Sequence, residues 1–173
     1  MDVENITPSW RNTEITVVVT MSDVGTGVKT LTVNGTEINL TSSTYARLTL
    51  PENGTYTFEA TDQAGNKGRY VLEVTNIDTV LPVVESVTAE SGVNGEVIIK
   101  AVVTDNDSGV SEYFLSTRDE APRTFNAITR VVGTTTISIE ADRDGEYYLF
   151  VKDYAGNVGK YDATVIKSQE CYI

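Results

Sequence analysis

Between Glu14 and Met21, apolar Ile15, Val17, Val19 and Met21 alternate with Glu14, Thr16 and Thr20, interrupted only by Val18. A period of two sends successive side chains to opposite faces, so this stretch predicts a half-buried β-strand. The rhythm returns at Val97, Ile99, Ala101 and Val103. There the opposite phase, Glu96, Ile98, Lys100, Val102 and Thr104, is apolar enough to predict a partly covered outer face. Tyr56, Phe58 and Ala60 alternate with Thr55, Thr57, Glu59 and Thr61, and Tyr147, Leu149 and Val151 repeat the inward set. Tyr70, Leu72 and Val74, like Tyr161, Ala163 and Val165, predict the second strand of a closing hairpin. Asn34-Gly35 lies between two short strand-like runs, Leu31 to Val33 and Glu37 to Asn39. It is a two-residue hairpin signal, because both central positions need positive φ. No segment carries helical periodicity. About seven short strands in each half, spaced by Gly, Asn and Asp turns, predict an all-β chain built as sandwiches and not as an up-and-down barrel.

The chain also matches itself. Asn53 to Gly68 aligns with Asp144 to Gly159 at a constant offset of 91, with Gly54, Tyr56, Asp62, Ala64, Gly65, Asn66 and Gly68 all recurring. Upstream, Ser22-Asp23-Val24-Gly25-Thr26-Gly27-Val28 aligns with Thr104-Asp105-Asn106-Asp107-Ser108-Gly109-Val110 at an offset of 82. An internal repeat fixes domain count before any element is assigned. The difference between the offsets puts about nine extra residues in the second copy, most simply in the loop-like stretch Thr117 to Thr129. Turn formers and a proline in Thr75 to Pro82 mark the linker. It is short, which predicts two domains end to end with limited freedom.

Composition narrows the chemistry. The chain of 173 residues carries a net charge of −12, with acidic residues in excess on both sides of Asp78 and no basic run. Such a surface repels phosphates, which argues against nucleic acid and against an anionic membrane as partners. Histidine is absent and Cys171 is the sole cysteine. The usual general base at neutral pH, the usual transition-metal ligands and an intrachain disulfide are therefore all missing, and no catalytic residue is assigned. No apolar stretch is long enough to span a bilayer, and Met1-Asp2-Val3-Glu4 is unlike a signal peptide. The chain reads as a fragment without its leader or anchor, and as a monomer.

Ser22-Asp23-x-Gly-x-Gly27-Val28, Asn53-Gly54-Thr55-Tyr56, Asp62-x-Ala-Gly-Asn66 and Asn76-Ile-Asp78-Thr-x-x-Pro82 together resemble the bacterial immunoglobulin-like repeats of Gram-positive cell-surface or secreted proteins. The second copy shows the same order through Asp105, Gly109-Val110, Asp144-Gly145-x-Tyr147 and Asp153-x-Ala-Gly-Asn157. The resemblance covers nearly the whole chain. It implies two tandem immunoglobulin-like (fibronectin-like) antiparallel β-sandwiches, residues 1–78 and 79–173, outside the cell, at its surface or wall. It also implies a noncatalytic role in adhesion or as a spacer or stalk. The alternative is an accessory, carbohydrate-binding domain pair of a secreted glycoside hydrolase. A protein or glycan ligand, or neighbouring domains of the same chain, would be the partner. Tyr56 and Tyr147 resemble the tyrosine corner of such folds, with Phe58 and Leu149 standing where the family of disulfide-bonded domains has its second cysteine.

Within this frame the repeated carboxylates have two readings. Asp and Asn in Asp-x-Ala-Gly-Asn bond their own backbone while Gly65 and Gly156 take positive φ, which is turn chemistry and is the reading adopted, with no metal or cofactor assigned. The other reading is calcium held by oxygen ligands, for which Asp23, Asp62, Asp105, Asp107 and Asp153 are the candidates. Asp78 at the junction is set aside as a calcium ligand, because no second acidic cluster occurs in Val80 to Val84. Trp10 is expected at a core edge; Tyr113, Phe114 and Tyr154 are the exposed aromatics a sugar could stack on. Lys100 falls on the polar phase of its strand, which argues against a role in a buried crosslink.

Overall fold

A computed structural model describes residues 1–4, 9–91, 96–141 and 145–166. Expectations attached to Asp144 and Cys171 lie outside the described residues, and those on Ala163 and Val165 fall on side chains that are not described. Among the described residues every regular element is a strand, and no helix is long and apolar enough to cross a membrane. The chain divides into two units, Met1–Ile77 and Asp78–Ile173.

The first unit holds seven strands: β1 (Asp2–Glu4), β2 (Ile15–Thr20), β3 (Val28–Val33), β4 (Thr36–Ile38), β5 (Tyr45–Leu50), β6 (Gly54–Asp62) and β7 (Lys67–Val74). They form two antiparallel sheets, ordered β1-β2-β5 and β4-β3-β6-β7. The alternation seen in the sequence decides which face each strand buries. Ile15, Val17, Val19 and Met21 from the first sheet meet Leu31, Phe58, Ala60, Leu72 and Val74 from the second in one core, a sandwich-like arrangement. Phe58 is fully buried. A buried side chain of this kind contributes about 1.5–3 kcal/mol. Two of them therefore match the roughly 2–4 kcal/mol of a disulfide. The β3–β4 hairpin turns on Asn34 (φ 49°) and Gly35 (φ 81°), and Asn34 Oδ1 accepts the Thr57 N–H at 2.8 Å. Tyr56 donates its hydroxyl to the Glu52 carbonyl at 2.8 Å, the upstream backbone bond expected of a tyrosine corner.

The second unit uses the same inward phases with longer strands: β8 (Val83–Ser91), β9 (Val97–Ser116), β10 (Asn126–Ala141), β11 (Gly145–Asp153) and β12 (Val158–Ile166). The first part of β9 pairs with β8 and with the end of β10; its later part pairs with β11 and with the start of β10. Register shifts on β10 around Val131 and Gly133 mark the bend between these two parts. β9 thus does in one strand what β2 and β3 do in two. This differs from seven short strands per copy: β9 runs through the bend at Ser108-Gly109 as one strand, with a register shift between the Asp105–Gly133 and Val110–Val131 pairs. Val97, Ile99, Ala101 and Val103 are fully buried and pack with Val110, Ile137, Ile139, Leu149 and Val151.

The extra length of the second copy lies between Ser116 and Asn126, while Asn126 to Thr129 already belong to β10. Asp119 pairs with Lys160 at 2.6 Å, and Phe125 lies under the Lys152 ammonium, 5.3 Å from its ring centroid. Both contacts fall on the face of the β11–β12 hairpin opposite Leu149 and Val151. Phe150 is buried on that face, a second apolar layer that the inward alternation alone does not announce. Lys100 pairs with Glu90 at 2.8 Å on the exposed side of its strand.

Gly68 and Gly159 occupy equivalent positions of the repeat but not equivalent surroundings. A Cβ at Gly68 meets nothing within 4 Å, whereas one at Gly159 would sit 2.2 Å from the Pro82 carbonyl oxygen. Backbone cannot yield as a side-chain tip does. Gly159→Ala is therefore expected to destabilise by at least the roughly 1–3 kcal/mol of an overpacked site. Gly68→Ala should stay within about 0.5 kcal/mol of the parent. Urea unfolding of both variants checks the difference, and equal midpoints would contradict the close approach at Pro82.

Candidate functional site

The repeated turn is built the same way in both units. Asp62 N–H donates to the Asn66 carbonyl at 2.9 Å, and Asp153 N–H to the Asn157 carbonyl at 3.1 Å. The Asp62 carboxylate accepts Asn66 N–H at 2.8 Å and Asn66 Nδ2 at 2.7 Å. The Asp153 carboxylate accepts Gly156 N–H at 2.6 Å, Asn157 N–H at 2.8 Å and Asn157 Nδ2 at 2.6 Å. Gly65 (φ 93°) and Gly156 (φ 101°) supply the left-handed turn residue in each. The upstream loop docks alike: Gln63 N–H donates to the Gly27 carbonyl at 3.0 Å, and Tyr154 N–H to the Gly109 carbonyl at 2.9 Å. Turn chemistry thus accounts for the Asp-x-Ala-Gly-Asn motif in both copies.

Burial separates the copies. In the first unit Asp23 is exposed and accepts Gly25 N–H at 3.0 Å and Gly27 N–H at 2.6 Å, all within its own loop. Asp23, Asp62 and Asn66 face a hollow of about 200 Å³ that Met1 and Met21 also line. In the second unit Asp105 and Asp153 are buried, 4% and 1% exposed, and a third buried carboxylate, Asp78, joins them. One carboxylate oxygen from each of the three lies within 4.8 Å of the others. Asp107 remains exposed at the rim of this cluster.

Asp78 enters the cluster through the loop preceding β8, and its anchors all belong to the second unit. Its Oδ2 accepts the Ser108 N–H at 2.9 Å, its Oδ1 accepts the Val80 N–H at 2.9 Å, and its carbonyl accepts Asn157 Nδ2 at 2.8 Å. Its acidic partners are not in Val80 to Val84 but come from the β9 bend and the β11–β12 turn. Hydrogen bonding across a sheet, not proximity along the chain, brings them together. Asp105 Oδ1 accepts the N–H groups of Gly109 and Asp107, while Asp105 Oδ2 is buried without a hydrogen-bond partner. Ser108, fully buried, accepts the Ala155 N–H on its Oγ at 3.1 Å and ties bend to turn. Gly109 (φ 85°) allows the approach, since a Cβ there would lie 2.8 Å from the Val131 carbonyl oxygen.

The electrostatics follow from burial. Desolvation holds the carboxyl of Asp105 above its ordinary pKa against the Gly109 N–H bond, with the Asp78 charge adding to the rise. Desolvation likewise holds Asp153 above its ordinary value against its bonds from Asn157. Asp62 goes the other way, because the Asn66 side chain bonds its charged form and little is buried. Three buried carboxylates with one unspent oxygen can accept a proton or an oxygen-seeking cation.

A separate open hollow of about 680 Å³ in the second unit is lined by Tyr113, Leu115, Asn126, Ser138, Glu140 and Tyr147. Tyr113 and Tyr147 are half-buried there, on the core-facing phase of their strands. The other sugar-stacking candidates lie elsewhere: Phe114 points to the opposite face from Tyr113, and Tyr154 carries the Arg130 guanidinium 4.8 Å from its ring centroid. Trp10 is half-buried in the first unit.

No family model matches the chain, and no curated protein matches it. Among solved structures it is similar to SGBP-B of the Bacteroides ovatus mixed-linkage glucan utilization locus, solved in complex with a mixed-linkage heptasaccharide, at 15% identity and a TM-score of 0.29. The match covers 96% of this chain and 45% of that one.

The paired turns make opposite predictions about pH. Asp62, held below the ordinary aspartate value of 3.8, stabilises the fold above that value and loses its contribution as pH falls through its folded pKa. Asp153, held above the same value, weakens the fold above its folded pKa and is relieved on protonation. In metal-free buffer, NMR titration of the side-chain carboxyl carbons should place the Asp62 midpoint below 3.8 and the Asp153 midpoint above it. Coincident midpoints would contradict the difference in burial.

Proposed function

We propose that the chain is a noncatalytic pair of immunoglobulin-like domains that serves as a spacer or stalk segment of an extracellular bacterial surface protein. The observation that carries this reading is the way consecutive residues are fastened. Ile77 is held in the first unit, its N–H donating to Asn53 Oδ1 at 2.9 Å and its carbonyl accepting Asn53 Nδ2 at 2.7 Å. Asp78, the next residue, is held in the second unit by Ser108 and Asn157. Each unit thus fastens its own end of the chain where one passes to the other, as suits a segment that bears tension. The repeated polar motifs support the same reading, since their hydrogen bonds serve the fold's own turns.

An accessory carbohydrate-binding role is favoured by a different observation, the hollow with Tyr113 and Tyr147 beside Asn126, Ser138 and Glu140. Its size lies within the roughly 300–1,000 Å³ of small-molecule sites, and aromatic faces with nearby amide and hydroxyl groups suit a sugar ring.

Pulling the chain from its two ends in an optical trap tests the spacer reading, and a glycan array tests the other. A spacer gives two discrete unfolding steps, releasing roughly 26 and 33 nm of chain at about 3.4 Å per residue. Extension without discrete steps would overturn it. Retention of a glycan on an array, lost in Tyr113→Ala and Tyr147→Ala but not in Tyr45→Ala, would instead establish the carbohydrate-binding role.

A further inference from the structure

We propose that Asp78, Asp105 and Asp153 bind a divalent cation of the calcium type within the second unit. The proposal goes beyond the spacer reading and stands whether or not that reading holds. Its first support is the unspent oxygen. Asp105 Oδ2 is buried and accepts no hydrogen bond, although burying an unsatisfied carboxylate oxygen is costly. The other Asp105 oxygen is held by the Gly109 and Asp107 N–H groups.

The second support is geometry. Two oxygens that bind one ion at about 2.4 Å can stand no more than about 4.8 Å apart, whereas at the 2.0–2.1 Å of magnesium the limit is about 4.2 Å. One oxygen from each carboxylate falls within 4.8 Å of the other two, which meets the pairwise limit for calcium. Each carboxylate is also held by backbone N–H groups, Asp78 by Ser108 and Val80 and Asp153 by Gly156 and Asn157. Such bonds orient the oxygens and leave most of their charge uncompensated. A donor set of oxygens alone, in a chain without histidine, selects a hard cation.

The third support is the contrast between copies. The first unit makes the same turn and the same loop docking with Asp23 and Asp62 partly or fully exposed. Folding the repeat therefore does not require buried carboxylates. Their burial in the second unit, joined by Asp78 from a third segment, is an addition to turn chemistry, and a bound cation supplies the compensating charge.

The test uses the full chain, stripped with chelator and studied near neutral pH at fixed ionic strength. Calcium chloride to about 10 mM, above the affinity range of extracellular modules, should raise the melting temperature of one transition by about 5 °C or more. Amide signals of Gly109, Gly156 and Asn157 should shift, while those of Gly27, Gly65 and Asn66 stay in place. Magnesium at equal concentration should act more weakly. Asp105→Asn should abolish the calcium response yet melt no lower than the calcium-free parent, because the amide removes one of three repelling charges. That separates a ligand from a merely structural residue. Asp23→Asn should keep the full response. Unchanged melting and unchanged Gly109 and Asn157 signals in calcium, or a response lost in Asp23→Asn and kept in Asp105→Asn, would overturn the proposal.

Discussion

The arrangement of each unit depends on one pairing: Val28 opposite Asp62 in the first, Val110 opposite Asp153 in the second. In each case a residue that follows a positive-φ glycine is set against the aspartate that opens the closing turn. The pairing brings the glycine carbonyl to the N–H after the aspartate, at Gln63 and at Tyr154. It therefore joins the two landmarks that the repeat separates by different distances along the chain. Length can change between them, as it does through the segment ending at Phe125, because neither landmark depends on what the intervening chain does. The apolar cores sit on the inward phase of the same strands and hold the pairing in register, since a slip by one residue would turn Phe58 or Leu149 outward.

One local device thus works in two electrostatic settings. Around Asp62 the neighbouring residues Gln63 to Lys67 are exposed, and water screens the charge that Asn66 stabilises. Around Asp153, the bend residues Asp105, Ser108 and Gly109 are buried, and Asp78 closes the remaining side. The hydrogen bonds to the two aspartates are nearly the same; what differs is the solvent. Identical motifs in a sequence can therefore carry opposite pKa displacements, which is why motif matching alone assigns the turn but not its chemistry.

The parts of the structure that were legible in the sequence are those set by local alternation or local φ. Ile15, Val17 and Val19 face inward because a period of two leaves them no other arrangement once one is buried. Asn34-Gly35 forms its turn because few other pairs tolerate positive φ twice. The continuity of β9 through Ser108-Gly109 was not legible, since a bulged bend within one strand and a loop between two share the same Asp, Ser and Gly residues. Phe150 was hidden for a related reason. Its burial on the outward phase accompanies a segment, Thr117 to Phe125, in which Phe125 is the one large apolar residue among mostly turn formers and charges. Nor was the partner set of Asp78 visible, because Asp105 and Asp153 are adjacent to it only through sheet pairing. Asp105 and Asp153 themselves were candidates on residue type and spacing, and a buried third carboxylate was the missing element.

The position of Asp78 is over-determined, and this bears on what the carboxylates can do. Asn157 donates both to the Asp78 carbonyl and to the Asp153 carboxylate, so the same side chain fastens two of the three acidic residues. Ser108 fastens Asp78 through its N–H and the turn through its Oγ. Four residues on, the Pro82 carbonyl lies against Gly159, where only a missing Cβ permits the contact. Asp78 therefore cannot swing away from Asp105 and Asp153 to relieve their repulsion without breaking bonds that also hold the start of β8 against β12. A cluster free to open would pass its charges to water. This one is held closed by the packing around it, so its repulsion is relieved only by what enters it.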